Sequence, residues 1–474
     1  MPQCGTVGIQ FSAAAAGRAC GMCVKSQSFW ERHELKFYRY GHIYASICGQ
    51  VIIDYAPQRP MRAPFKSLLI AYSHVLSLLL VVVLPGYFGY NYRALTATDD
   101  RRMQLVLYVG FANTLIKYAT VIVTYVANTC HFEAINQRCS LQRARLQAAF
   151  AARYRGSGWP KHSFELFMYL KFVLINLMMI VQICAIFAVA RIDSDTESDS
   201  DSDSVSDSDS AAAARGRRLR IQFAIYGFVL WNYTESMADY FYYVSSCVLL
   251  YFRLLHMQLQ AELEQLRRLG RGRLLLYGCR LCDRIGLLRE RYAQIHGLYA
   301  DSFRMHQFQL LGLMLTTLIN NLTNLFTIFN LLATSSRAFV SFPVAVSGVY
   351  ALAFYLDTYL VSLVGEYIKM EQTRLALTVR QFSESPARQP PSLNQEVLQP
   401  NTAQHPIGCQ LANDLSLVFQ LEQFSLLLMH CRQPMLCGLV HLDRRLIYLI
   451  SVTAFSYFIT LVQFDIYLRT RHNK

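Results

Sequence analysis

Seven apolar stretches, each long enough to cross a bilayer at about 1.5 Å of rise per residue, punctuate the chain. They run roughly over residues 67–88, 103–127, 171–190, 221–250, 305–332, 340–364 and 446–468. The fourth is longer than a bilayer needs, so its end is expected to continue out of the membrane. The last reads LIYLISVTAFSYFITLVQFDIYL. Within it Thr453, Ser456, Thr460, Gln463 and Tyr467 recur every three or four residues and share one helical face. Lipid does not accept such a face, so neighbouring helices or a column of water and ions must cover it.

Two stretches outside the spans also carry helical periodicity. Phe252, Leu255, Leu259, Leu263 and Leu266 form one stripe, with Arg253, Glu264 and Arg268 on the other side and Glu262 at the edge. Over residues 411–429, Leu417, Leu421, Phe424 and Leu428 form a stripe that Leu415, Val418 and Phe419 widen. Asn413, Ser416, Gln420 and Gln423 make the polar face, and Glu422 interrupts the second apolar side. This helix is expected to end near His430, before Pro434. Residues 383–404 are Pro/Ser/Gln-rich and read as a loose loop. Residues 193–210 are an acidic Asp/Ser repeat that cannot bury a core and is expected to be disordered.

Composition supports a membrane protein. Hydrophobic residues make up 53 % of the chain and charged ones only 16 %, and mean hydropathy stays positive despite a net charge of +14. The first twenty residues hold one basic group, Arg18, and lack the apolar core of a signal peptide, so the first span is expected to insert the protein. Lys and Arg set the orientation. The odd-numbered extramembrane segments hold 31 and the even-numbered ones 12. That bias predicts a cytosolic N-terminus and, after seven crossings, an extracellular C-terminus. The positive charge then reads as topology signal and attraction to anionic lipid, not as a nucleic-acid surface.

The C-terminal stretch carries a resemblance. SYFITLVQF is similar to the Thr-Tyr-five apolar-Gln-Phe ending of insect gustatory receptors, with Ser456 in place of Thr. Phe424, Ser425, Leu428, His430, Gly438 and Asp443 follow the order of the region that precedes this ending in the family. The motif spans about the last fifty residues, and elsewhere the likeness is architectural. The resemblance implies a tastant-gated, non-selective cation channel in the plasma membrane of taste-neuron dendrites. It implies four subunits, identical or mixed, around a central pore lined by the last span. Thr453, Ser456, Tyr457, Thr460, Gln463, Phe464 and Tyr467 are the pore and gate candidates. Gln463 and Phe464 match the family's pair that narrows the closed channel, and Asp465 is expected to add a ring of negative charge. The resemblance also implies that residues 411–443 form an intracellular anchor where subunits meet.

These readings divide the chain into a cytosolic tail (1–66), a ligand-binding domain of six spans (67–364), a cytosolic loop and anchor (365–445), and the last span (446–474). The six-span domain contains an acidic outer loop (191–220) and a cytosolic loop (251–304). An outward-opening pocket is expected from Tyr226, Trp231, Asn232, Tyr233, Thr234, Asn320, Asn321 and Tyr350. Flat aromatics with a few amides suit a small organic ligand of mixed polarity. They lean towards bitter compounds or a contact pheromone over sugars. Asn330 lies in the same half of its span.

The charged residues deep inside spans, Lys117, Glu235, Asp239 and Asp357, are each costly in lipid unless paired. Their depths permit a Lys117–Glu235 or a Lys117–Asp357 pair. Cys20-x-x-Cys23 and Cys279-x-x-Cys282 lie far apart and lack other zinc-ribbon signals, so neither a metal site nor a cofactor is expected. The chain has no phosphate loop, metal-ligand helix or nucleophile elbow, and His430 and Cys431 diverge by about 100° on a helix. An enzyme is therefore not expected. The alternatives to a channel are an auxiliary subunit that binds no ligand, or a G-protein-coupled receptor, which would need the opposite orientation.

Overall fold

The structure is a computed structural model and describes residues 40–41, 43–49, 63–96, 101–130, 132–156, 158–198, 207–268, 274–334, 342–383, 407–431 and 433–472. Nine long helices follow one another among them: α1 (Ala63–Thr96), α2 (Arg101–Cys130), α3 (Phe132–Gly156), α4 (Trp159–Ser198), α5 (Asp207–Arg268), α6 (Leu274–Thr334), α7 (Phe342–Ser383), α8 (Ile407–His430) and α9 (Arg444–His472). Between α8 and α9 lies a small antiparallel hairpin, β1 (Met435–Leu436) and β2 (Val440–His441), pairing Met435 with His441 and Leu436 with Val440.

Among the described residues, five helices are long and apolar enough to cross a membrane: Ser67–Tyr90, Tyr108–Val126, Pro160–Cys184, Gly348–Gln381 and Arg444–Tyr467. The fourth expected span falls in the middle of α5 and the fifth in the C-terminal half of α6, helices that run for 62 and 61 residues. These stretches are less apolar because they are interior helices. Asn232, Glu235, Ser236, Ser245 and Ser246 of α5 and Thr316 and Thr317 of α6 are all buried. Protein, not lipid, surrounds their polar groups, which is where a membrane protein tolerates them. At about 1.5 Å per residue α5 is about 90 Å long, three times the hydrocarbon core, so it projects well beyond it.

That projection builds the densest part of the molecule. Phe252, Leu255, Leu259 and Leu263 of α5 are buried as their spacing predicts. They face α6, whose Leu281, Ile285, Leu288, Tyr292 and Ile295 are also buried. Leu417, Leu421 and Phe424 of α8 close the same core, with the Tyr292 ring 5.5 Å from Phe252 and 5.8 Å from Phe424. Glu262 is buried as well, held by Arg284 at 2.8 Å. Arg253, expected on the polar side, instead reaches Glu371 of α7 at 3.6 Å and donates to Ser163 of α4 at 2.5 Å. Phe419 is exposed and does not widen the α8 stripe. The side chains of Leu266, Arg268 and Leu415 lie outside the described residues.

Two expectations need correction. The acidic run is helical at both ends, since α4 continues to Ser198 and α5 begins at Asp207. Propagating a formed helix fixes only one residue per hydrogen bond, so the two neighbouring helices extend into the run. Residues 199–206 lie outside the described set. Further upstream, residues 43–49, assigned by sequence to a cytosolic tail, dock into the bundle. Tyr44, Ala45 and Cys48 are buried there, and Tyr44 donates to Asn232 of α5 at 2.8 Å. Gly49 takes φ +83°, and its carbonyl accepts from Ser73 of α1. A Cβ at Gly49 would stand 2.8 Å from Leu76, so the turn requires glycine. The apolar run of this segment is too short for a span, which hid it from hydropathy. The Cys20 pair and the loop 384–404 lie outside the described residues, as does the side chain of Cys279.

Candidate functional site

α9 leans on α6 and α7 through one stripe: Ile447, Ile450, Ala454 and Asp465 are buried, with Ser451 and Phe458 half-buried. Ser451 donates to the Tyr355 hydroxyl at 3.2 Å, and Phe458 meets Phe329 at 6.1 Å. The opposite face is open. Ser456, Tyr457, Thr460, Gln463, Phe464 and Tyr467 are all exposed, Phe464 at 52 %, while Thr453 is half-buried. The polar stripe seen in the sequence is therefore the face that the chain leaves uncovered. Asp465 departs from its expected role. It is 2 % exposed and sits on the inner stripe, about 100° from its neighbour Phe464, so it does not add charge to the open face.

The base of α9 is clamped. Asp443 Oδ1 accepts from the backbone N–H groups of Arg445 (3.1 Å) and Leu446 (3.3 Å), as an N-cap does. Glu366 of α7 accepts from the Arg444 N–H at 3.3 Å and from its guanidinium Nη2 at 2.5 Å. Two carboxylates thus satisfy donors that a helix start leaves free, and both offset its positive end. The hairpin before it turns through Cys437 (φ 49°) and Gly438 (φ 74°). It presses so closely on α7 that a Cβ at Gly365 would lie 2.3 Å from the Leu442 carbonyl oxygen.

The eight expected ligand residues separate into groups. Tyr226 and Tyr233 pack with Leu80, Leu84 and Val121 of α1 and α2. Tyr226 donates to the Leu80 carbonyl at 2.6 Å, and the Tyr233 hydroxyl meets Ser77 at 2.9 Å. Thr234 donates back to the Trp231 carbonyl at 2.8 Å, and Asn320 accepts from Asn113 at 2.6 Å. Tyr226, Tyr233 and Asn320 are thus engaged in holding helices together, and Thr234 bonds within its own helix. Trp231 and Tyr350 form an aromatic cluster with Phe354, at 6.4 and 4.8 Å from the indole. Trp231 and Asn232 wall a small cavity with Tyr44, Gln182, Glu235 and Asp357. Asn321 lines a different cavity of about 210 Å³ between α6, α7 and α9, with Asn324, Tyr355, Ser451 and Phe455. The Asn330 side chain lies outside the described residues.

Intramembrane charges are placed otherwise than the depth count permitted. The ammonium that meets Asp357 belongs to Lys171 of α4, 2.5 Å away, and the same ammonium meets Asp239 at 2.7 Å. Lys117 instead stands over the Trp231 ring, 4.4 Å from its centroid, and Glu235 is the carboxylate whose charge it senses. Depth along a span says nothing about azimuth, and azimuth selects the partner. Sequence reasoning also missed Tyr44, Gln182 and Tyr355, and a cavity of about 640 Å³ lined by Arg253, His256, Glu371 and Arg374. The alternation of Arg253 and His256 with apolar α5 residues was the one available signal for it.

This long-helix fold, with an exposed polar face on its last helix and interior polar clusters, is that of a chemosensory receptor. The family described as 7tm Chemosensory receptor matches residues 38–398 and 410–468, and the chain belongs to that family, within the insect gustatory and olfactory receptor superfamily. It is a multi-pass, all-α membrane protein and a non-catalytic receptor. Gustatory receptor 10a of Drosophila melanogaster is 53 % identical over 446 residues, covering 94 % of this chain and 98 % of that receptor. The insect olfactory receptor OR5 from Machilis hrabei shares the fold at a TM-score of 0.61 and 11 % identity, over 91 % of this chain and 99 % of that one. The same receptor in complex with eugenol gives a TM-score of 0.55 at 10 % identity, over 92 % and 99 %.

Proposed function

We propose that this chain is a subunit of a tastant-gated, non-selective cation channel in the plasma membrane of gustatory neurons. In this reading seven crossings leave the N-terminus in the cytosol, and four subunits, identical or mixed, surround a pore. The observation that carries the reading is the open face of α9. Ser456, Thr460 and Gln463 are too polar for lipid, and no described residue covers them. Fourfold assembly about that face would give the hydroxyls and amide an aqueous lumen, with Phe464 and Gln463 as its constriction. Residues 411–443 would then anchor subunits to one another beneath the membrane.

The cavity of about 210 Å³ between α6, α7 and α9, walled by Asn321, Tyr355 and Phe455, supports a ligand site in the spans beside the pore helix. A ligand that binds the open state more tightly would draw α9 outward and widen the Phe464 constriction. A small, largely aromatic bitter compound or contact pheromone suits these walls better than a sugar.

Whole-cell recording tests the proposal. Cells expressing the chain are expected to show tastant-evoked cation current, altered in gating by Gln463→Ala and Phe464→Ala. Surface tetramers that stay silent across a tastant panel would favour an auxiliary subunit. A C-terminal tag reached by antibody only after permeabilisation would reverse the topology and remove the channel reading.

A further inference from the structure

We propose that Glu235, Asp239 and Asp357 hold one monovalent cation of sodium size between α5 and α7, at the wall of the small cavity. The inference rests on the buried side chains and not on the channel reading, and it extends to residues that reading does not use.

Three carboxylates converge here, each with an oxygen within 4.8 Å of the others. Glu235 and Asp357 are 3 % and 1 % exposed. Lys171 engages one oxygen each of Asp239 and Asp357. Lys117 is the second ammonium in electrostatic reach, over Trp231. Three negative charges therefore face two positive ones, and a buried charge left over is expensive. One further positive charge balances the cluster, and a divalent ion would overshoot it.

The oxygens themselves point to a cation over a proton. Both Glu235 oxygens, Asp239 Oδ2 and Asp357 Oδ2 have no hydrogen-bond partner among the described residues. Glu235 and Asp357 line a cavity of about 10 Å³, room for one water-sized particle and too small for an organic ammonium. The neighbouring donors are spent elsewhere. Tyr44 donates to Asn232 Oδ1, and the Asn232 amide donates to Gln182 Oε1 (3.0 Å) and to the Phe228 carbonyl (2.7 Å). The Trp231 indole N–H is buried without an acceptor among the described residues, and it can serve only one of four oxygens. A proton shared between Glu235 and Asp357 supplies one charge but bridges only two of the four oxygens. A small cation coordinates several oxygens at once and brings the missing charge, which a neutral water does not.

The test is the thermal midpoint of the purified full-length chain in lipid nanodiscs, with sodium chloride exchanged for choline chloride at constant ionic strength. The expected result is a saturable rise of about 2 °C with sodium at ten times its dissociation constant. Glu235→Gln is expected to flatten that response while keeping the chain folded in choline, and Asp357→Asn provides a second variant should it not fold. A midpoint indifferent to sodium at both about pH 6 and about pH 8 overturns the proposal. So does one that follows pH in choline and ignores sodium, since a proton then fills the role. None of these readings depends on current, so failure here leaves the channel proposal standing and the reverse also holds.

Discussion

Lys171 of α4 and Asp357 of α7 meet at 2.5 Å although 186 residues separate them, and both are almost fully buried. The pair ties together two helices that also pack along their apolar faces, and it does so where water cannot compensate a missing charge. Lys171→Met leaves Asp239 and Asp357 without their ammonium and is expected to cost about 3–5 kcal/mol. Lys117→Met loses a cation–ring contact, worth about 1–2 kcal/mol, and a more distant positive charge opposite Glu235. Thermal midpoints and surface yields of the two variants check this. Adding Asp357→Asn should recover more of the Lys171→Met loss than of the Lys117→Met loss.

Gly365 is the point where α7 and the hairpin touch backbone to backbone. Gly365→Ala puts a methyl group 2.3 Å from the Leu442 carbonyl oxygen, which no rotamer relieves, so the hairpin must move. Overpacking of this kind costs about 1–3 kcal/mol. Gly348→Ala on the same helix meets nothing within 4 Å and is the matched control. Equal thermal midpoints for the two variants would show that the hairpin yields freely.

Asp443 caps α9 through two backbone N–H groups, and the cap depends on an acceptor oxygen rather than on charge. Asp443→Ala is expected to lose about 1 kcal/mol and Asp443→Asn much less. The 3.9 Å contact with Lys369 adds little, because that lysine is half exposed. Hydrogen exchange at the first turn of α9 should rise in the alanine variant alone.

Phe464 and Asp465 are neighbours with opposite environments, 52 % and 2 % exposed. If the open face of α9 lines a pore, Phe464→Ala changes gating, whereas Asp465→Asn changes stability and leaves ion permeability ratios as they are. Bi-ionic reversal potentials distinguish the two. A loss of cation preference in Asp465→Asn would place that carboxylate in the lumen after all.

Much of this protein is legible from one dimension. Apolar run length located five helices long and apolar enough to cross a membrane, and period 3.6 found the stripes of α5 and α8 and the polar face of α9. These are properties of a single helix, fixed by local spacing. The fourth and fifth spans were legible as apolar runs, but their interior position was not. The docking of Tyr44, the hairpin at Cys437 and Gly438, and the Gly365 contact left almost no mark on hydropathy.

The sequence by itself determined the helical, membrane-embedded character of the chain, the family ending and which residues carry charge in the membrane. Only the tertiary structure decided which of those charges meet. It turned Lys171 and not Lys117 towards Asp357, set Asp465 inward beside an outward Phe464, and parted eight candidate ligand residues into separate environments. The reason is geometric: spacing along a helix fixes which residues share a face, but the rotation and packing of several helices fix what that face touches.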